Sequence, residues 1–432
     1  MRLWLVLLLL IPMAACSGKG ETDKITGERV PVLRPAAALK ADTSMEGSTL
    51  SIGDTLANDA WPQSMGAADG SFGNLAFTKD PKEVWRASVG GSSKRIKLLS
   101  RPIIGDGKVF VMDTEANAHA FSLKDGAQLW AHDLAPEDID EQIFGGGLAY
   151  DKETLYATTA YGDVLALKAA DGKVIWRTNV RDVMRGAPLV AGGRVYAMSV
   201  GGQLHALDVA TGKELWIHSG ISEASALLGA STPVLAGDVV IASYNSGEIY
   251  AVRAQNGRTM WTQSLTASRL RSGAPALSDI KASPAVVGDR AYSISYGGRM
   301  AAIDVRSGNA VWDADIGGVN SPVVAGDVVF VLADGSALAT LERSSGRTAR
   351  VVQLQRWADI DDEEGSLAWA GPVMGEGLLW LVNSEGELKG YEASSGTEAF
   401  SADLPGKTLL PPVLAQKTLV ILTDDGTLVA YR

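Results

Sequence analysis

The feature that most restricts the fold of this chain is an internal repeat. The template is Leu204-His205-Ala206-Leu207-Asp208-Val209-Ala210-Thr211-Gly212-Lys213-Glu214-Leu215-Trp216. The same frame recurs around Gly126, Gly172, Gly257 and Gly308, each followed four residues later by Trp130, Trp176, Trp261 and Trp312. Around Gly346 and Gly396 the tryptophan slot holds Arg350 and Phe400, and a partial copy runs from Gly426 to Tyr431. Successive turn glycines lie 38 to 51 residues apart. A period of that size marks units that bury their apolar faces against neighbouring copies.

Each column of the repeat has a physical reading. Six residues before the turn glycine stands a small residue: Ala120, Ala166, Ala206, Ala251, Ala302, Thr340, Gly390 and, in the partial copy, Ala430. A position held small in every copy implies close approach of another element. Four residues earlier come Gly162, Gly202, Gly247, Gly298, Gly386 and Gly426, with Ala116 and Ser336 in the other two copies. Glycine there permits the positive φ of a tight hairpin turn. Upstream, Pro188, Pro233, Pro284, Pro322, Pro372 and Pro412 each open a short apolar run, and proline is tolerated at the first residue of a strand.

Each unit therefore reads as four short antiparallel strands, which is one propeller blade. Seven frames supply all four strands. The last supplies three, from Pro412 to Arg432, and its fourth is predicted at Lys82-Glu83-Val84-Trp85-Arg86-Ala87, with Trp85 in the tryptophan slot. Joining the two ends removes an open sheet edge. The expectation is an all-β fold, an eight-bladed β-propeller of four-stranded antiparallel blades spanning residues 56–432 and closed by an N-terminal strand.

The N-terminus carries a different signal. Arg2 precedes an apolar stretch from Leu3 to Ile11, too short to span a bilayer, and Met13-Ala14-Ala15-Cys16 follows. Cys16 is the only cysteine, so no disulfide can form within the chain. Small residues before a cysteine resemble the lipobox of bacterial lipoproteins. That resemblance implies a signal peptide over residues 1–15, lipidation of Cys16, and, with Ser17 rather than Asp next, sorting to the outer membrane. A buried cysteine behind an ordinary signal peptide is the alternative. Residues 16–55, rich in Gly, Pro, Ala, Thr and charge without sustained period, read as a flexible tether.

Charge and chemistry narrow the function. The 432-residue chain carries a net charge of −11, which disfavours nucleic acid as a partner. Of its four histidines, His119 and His205 share a slot that elsewhere holds Leu165, Tyr250, Ala301 and Lys389, unlike a ligand position; His132 and His218 lie on outer strands. No metal-ligand spacing, phosphate loop or nucleophile elbow is present. The acidic run Asp359-Ile360-Asp361-Asp362-Glu363-Glu364 lacks the spacing of an EF-hand and reads as a solvated loop. No catalytic residue, metal or cofactor is assigned.

The repeat resembles that of the pyrroloquinoline-quinone-type propellers, over about residues 60–432. Two families share it: the quinoprotein alcohol dehydrogenases and the BamB-type lipoproteins of the outer-membrane β-barrel assembly machinery. The dehydrogenases carry a vicinal disulfide beside the quinone and long insertions that cover a calcium site. This chain has one cysteine and mostly short connections, and the lipobox–tether–propeller order is the BamB layout. Two segments extend the likeness. Ala276-Leu277-Ser278-Asp279-Ile280-Lys281-Ala282-Ser283-Pro284 is similar to a Leu-Ser-Asp-Val-Asp-Thr-Thr-Pro segment of that family, and Ser225-Ala226-Leu227-Leu228-Gly229 to its Leu-Ser-Leu-Arg-Gly segment. The BamB resemblance implies a non-catalytic scaffold on the periplasmic face of the outer membrane. Its partner would be a POTRA domain of the BamA-type barrel-forming subunit, touched through Ser225, Leu227, Leu228 and Asp279, and it would assist insertion of nascent outer-membrane proteins. Leu228 and Lys281 depart from the family pattern. Three alternatives stay open: unexceptional inter-blade loops, a propeller of another envelope complex, and a quinone-dependent dehydrogenase or its relic.

Overall fold

The structure, a computed structural model, describes residues 38–90, 98–139, 143–221, 223, 227–266 and 279–432. Cys16 and Ser225 lie outside them, as do residues 1–37. Among the described residues no helix is long and apolar enough to cross a membrane.

Eight four-stranded antiparallel sheets form the blades. Blade 1 runs from Ile103 to Asp133, blade 2 from Gly146 to Asn179, blade 3 from Leu189 to Ser219 and blade 4 from Val234 to Ser264. Blades 5, 6 and 7 span Ala285–Ala314, Val323–Gln353 and Trp369–Asp403. Blade 8 takes three strands from Val413–Ala415, Thr418–Leu422 and Thr427–Tyr431 and its outermost from Glu83–Ser88. Trp85 sits opposite Ala430, so the ring closes where the strand count places the closure.

The repeat columns meet in space. Each small residue is the cross-strand partner of the tryptophan-slot residue in its own blade, as in Ala120 with Trp130, Ala251 with Trp261 and Gly390 with Phe400. Each indole then lies on the turn glycine of the next blade. A Cβ on Gly126 would sit 2.6 Å from the Trp85 ring, and one on Gly212 would sit 2.4 Å from Trp176. The indole N–H donates to a carbonyl of that same turn: Trp85 to Leu123 (3.0 Å), Trp130 to Ala169 (3.1 Å), Trp176 to Val209 (3.1 Å) and Trp216 to Ala254 (3.1 Å). Trp261 reaches Val305 (2.7 Å) and Trp312 reaches Arg343 (2.9 Å). Arg350 keeps the bond without the ring, donating to Ala393 at 3.2 Å. Phe400 has no N–H to give. Blade 8 has no turn joining its third and fourth strands, so no turn carbonyl faces it; Phe400 instead packs edge-on against Trp380 at 5.2 Å.

Two differences from the sequence reading stand out. Blade 7 opens at Trp369, three residues before Pro372, and the proline falls within a shift of register between Ala370 and Val373. A bulge is the other place where a strand tolerates a residue with no N–H. Packing against the blades also reaches residues before 56. Residues 38–55, expected as the end of the tether, lie on blade 6: Asp42 N–H donates to Thr348 (2.7 Å), Asp327 N–H to Ser51 (2.7 Å), and Leu50 and Ile52 pack on the apolar cluster of blades 6 and 7.

Candidate functional site

The connections between blades and the second-to-third strand turns share one face. After the outer strand of every blade but the fifth, the chain bonds back to the column that holds glycine in most copies: Val180 N–H to Gly162 O, Leu265 to Gly247 and Val89 to Gly426, with Leu134 to Ala116 and Leu354 to Ser336 where the column departs. All of these column positions have positive φ, including Ala116 at 65° and Ser336 at 59°. The first-to-second and third-to-fourth strand turns bond to each other on the opposite face, as Ala254 N–H does to Asp238 O.

That opposite face is sealed by a segment for which no role was legible. Residues 51–75 make main-chain or amide bonds to the innermost strand or inner turn of every blade. Ser51 O accepts from Asp327 of blade 6, Asn58 O from Gln416 of blade 8, and Trp61 pairs with Ile104 of blade 1 in both directions at 2.8 Å. Pro62 O accepts from Tyr150 of blade 2, and the Gln63 side chain both accepts from and donates to Val190 of blade 3 at 3.2 Å. Ala68 O, Asp69 O and Leu75 serve blades 4, 5 and 7. The segment then closes on itself through Leu56 and Asn74 at 2.7 Å. Trp61 is its anchor, fully buried and 4.8 Å from the Phe72 ring.

Described residues of the two loops singled out in the sequence, 227–229 and 279–284, lie on the open face, and the structure brings them together. The Asp279 carboxylate accepts the Leu227 N–H at 2.6 Å. Asp279 itself is buried, at 6% exposure, so it holds the Leu227 loop in place rather than lying on the surface. Burial lifts its carboxyl above the ordinary aspartate range, against the opposing pull of the Leu227 amide and of Lys281. Leu227 is half-buried, and Leu228 projects with 40% of its surface exposed. The neighbouring connections are stitched in series: Thr232 N–H donates to Ser283 Oγ and Ser283 N–H to Ser321 Oγ, both at 2.9 Å.

Inside the ring of connections the channel opens into a cavity of about 370 Å³. Arg101, Arg185 and Lys281 line it, with Leu98, Leu228, Trp369 and Leu410 among the apolar residues and Ser64 of the sealing segment also in its wall. The sequence marked Lys281 only as a departure from a family aspartate; Arg101 and Arg185 carried no repeat signal. The histidines have other duties. His119 faces Asp113 at 3.0 Å, His205 faces Glu214 at 3.0 Å, and His218 lies between Tyr244 (2.7 Å) and Thr259 (2.9 Å). The acidic run forms the tip of a separate hairpin, Trp357–Asp359 paired with Glu364–Ser366.

The family model described as outer membrane protein assembly factor BamB matches residues 115–352 and 355–432. The chain belongs to the BamB family. A curated relative, outer membrane protein assembly factor BamB of Yersinia pestis, is 27% identical over 357 residues, covering 81% of this chain and 88% of that one. The crystal structure of BamB from Moraxella catarrhalis superposes with a TM-score of 0.69 at 16% identity, over 82% of this chain and all of that one. A quinohemoprotein alcohol dehydrogenase from Comamonas testosteroni superposes nearly as well, with a TM-score of 0.67 at 13% identity over 86% of this chain and 80% of that one. At these identities both structures speak for the fold alone. Membership of the BamB family rests on the match along the sequence.

Proposed function

We propose that this BamB-family propeller is a non-catalytic scaffold of the outer-membrane β-barrel assembly machinery. It is anchored by a lipid on Cys16 to the periplasmic face of the outer membrane, and it docks on a POTRA domain of the barrel-forming subunit to assist insertion of its clients. The observation that carries this reading is the 2.6 Å bond from Leu227 N–H to the Asp279 carboxylate. It ties together two loops from successive blade connections, the same two that resemble the family's docking segments, and leaves Leu228 displayed. A buried carboxylate satisfied by a backbone amide gives a loop one conformation before a partner arrives, which lowers the ordering cost of binding. Ser225, outside the described residues, belongs to the same docking segment on the sequence resemblance alone.

The test is affinity purification of the tagged lipoprotein from membranes, with the bound proteins identified by mass spectrometry. The barrel-forming subunit is expected with the wild type and lost with Leu228→Asp, which places a charge in an apolar contact while leaving the fold intact. Recovery of that subunit at wild-type levels with Leu228→Asp would remove the loops from the interface. Its absence from the wild-type sample would remove the assembly role.

A further inference from the structure

The protein as a whole is acidic, at −11, yet the cavity on its axis is lined by three cations. In a chain with surplus carboxylates, cations that are half-buried, as these three are, ordinarily find acidic partners. These do not. Among the described residues no carboxylate lies within 4.0 Å of the charged groups of Arg101, Arg185 or Lys281. Arg101 reaches only the Ser64 carbonyl at 3.5 Å and the Met65 sulfur at 3.3 Å, both in the sealing segment. Arg185 Nε is shut off from solvent without a hydrogen-bond partner. Lys281 lays its stem against Gly229, whose Cβ position would be 3.0 Å from the lysine Cε, and has no hydrogen bond. Asp279, the nearest acidic side chain in sequence, is engaged with Leu227. Asp424 is the one carboxylate in the cavity wall.

Two of the three cations are also held in an unfavourable setting. Burial pushes the Arg101 guanidinium down to about 10. Burial and the Arg101 charge together lower Lys281, outweighing the opposing pull of the nearby Asp279 carboxylate. An arrangement that holds like charges in a half-dry cavity with no carboxylate of the described residues in direct contact is costly, and it is the arrangement that an incoming anion would relieve.

We propose that this cavity is a binding site for a small organic polyanion, a molecule with two or more carboxylate or phosphate groups on a compact apolar body. Two guanidinium groups supply forked donors that match carboxylate and phosphate oxygens, and the ammonium supplies a point charge between blades 4 and 5. The apolar wall of Leu98, Val319, Trp369 and Leu410 accommodates the body. A volume of about 370 Å³ suits a small molecule. Because residues 51–75 close the far end, the cavity is blind, so a polypeptide cannot thread it and the ligand arrives from the open face. The site is independent of the docking reading, although Leu228 borders both.

The test uses the purified full-length chain in detergent, titrated calorimetrically with citrate and, separately, with inorganic pyrophosphate at constant ionic strength. Neutral triethyl citrate is the control. At least one of the two anions is expected to give a saturable single-site isotherm and to raise the melting temperature, and triethyl citrate neither. Arg101→Met and Lys281→Met are each expected to weaken binding about tenfold or more. Without anion both variants should melt no lower than the wild type, because each removes a repelling charge. Arg185→Met serves as the third variant should Arg101→Met fail to fold. Absence of saturable heat with both anions overturns the proposal, as does affinity unchanged in every variant that folds. Comparison of citrate with pyrophosphate distinguishes carboxylate from phosphate as the preferred group.

Discussion

The two ends of the propeller channel are finished in opposite ways. At one, residues 51–75 bond to all eight blades almost wholly through main-chain groups, with a single tryptophan as anchor. At the other, the blade connections meet through side chains, Asp279 on Leu227 and Ser283 between Thr232 and Ser321, around a cavity left open and positively charged. The first arrangement serves stability. It gives main-chain groups of the inner strands and inner turns a protein partner, and main-chain bonds do this without requiring particular residues. The second leaves surface and charge unspent, which is where binding is to be expected. On the function proposed above, stability and recognition are separated along the axis of one fold.

The sharpest way to break this contrast is Trp61→Ala. Trp61 is fully buried at the junction of the sealing segment with blades 8 and 1. Truncating a buried tryptophan costs about 3–5 kcal/mol. The urea midpoint should fall accordingly, with the slope unchanged if the segment unfolds together with the ring. A midpoint within error of the wild type would mean that the segment is an appendage and that the two ends do not differ in the way argued.

The open face should respond less, and with a dependence on pH. Asp279→Ala leaves the Leu227 amide without its acceptor, a loss of about 1–3 kcal/mol. Asp279→Asn keeps an acceptor but removes the ionisation. Because folding raises the Asp279 pKa, the folded state holds that proton more tightly than the unfolded chain does. The associated stability is fully present below the ordinary aspartate value and is lost as pH rises through the folded pKa. The Asn variant should therefore gain on the wild type as pH rises from about 3 to 7. Denaturation series across that range measure the difference; a stability of the Asn variant relative to the wild type that is flat or falls as pH rises would contradict the burial argument.

The same contrast explains which parts of the molecule could be read in advance. The tryptophan, small-residue and turn-glycine columns were legible because each is a steric demand repeated around the ring, such as an indole lying on the glycine of the next blade. The closing strand was legible because Trp85 obeys the column. The sealing segment was not, because Asn58, Pro62 and Ala68 act through their carbonyls, and a carbonyl leaves no mark in composition or period. Arg101 and Arg185 occur once each among the blade connections, so no column announced them. The pairing of the Leu227 and Asp279 loops was legible only as a resemblance. Its physical basis, one carboxylate and one amide, needed coordinates.

The smallest effect tests whether the turns of the open face impose their backbone on whatever residue stands there. Ala116 and Ser336 occupy the turn column that is glycine in the other six copies, and both are held at positive φ. A left-handed backbone costs a non-glycine residue about 1–2 kcal/mol. Replacing it with glycine recovers that strain but gives back about 0.5–1 kcal/mol of unfolded-state entropy. Ser336→Gly should therefore stabilise by about 0.5 kcal/mol, since its hydroxyl makes only a 3.5 Å contact with Leu367 O. Ala116→Gly has the same backbone gain, but its methyl is buried at 3% exposure. Losing that methyl costs roughly 0.8 kcal/mol, which brings the sum near zero. Chemical denaturation of the two variants side by side decides the matter. If Ser336→Gly is no more stable than Ala116→Gly, side-chain burial is not what separates them, and the turn geometry is set by the residue rather than by the ring.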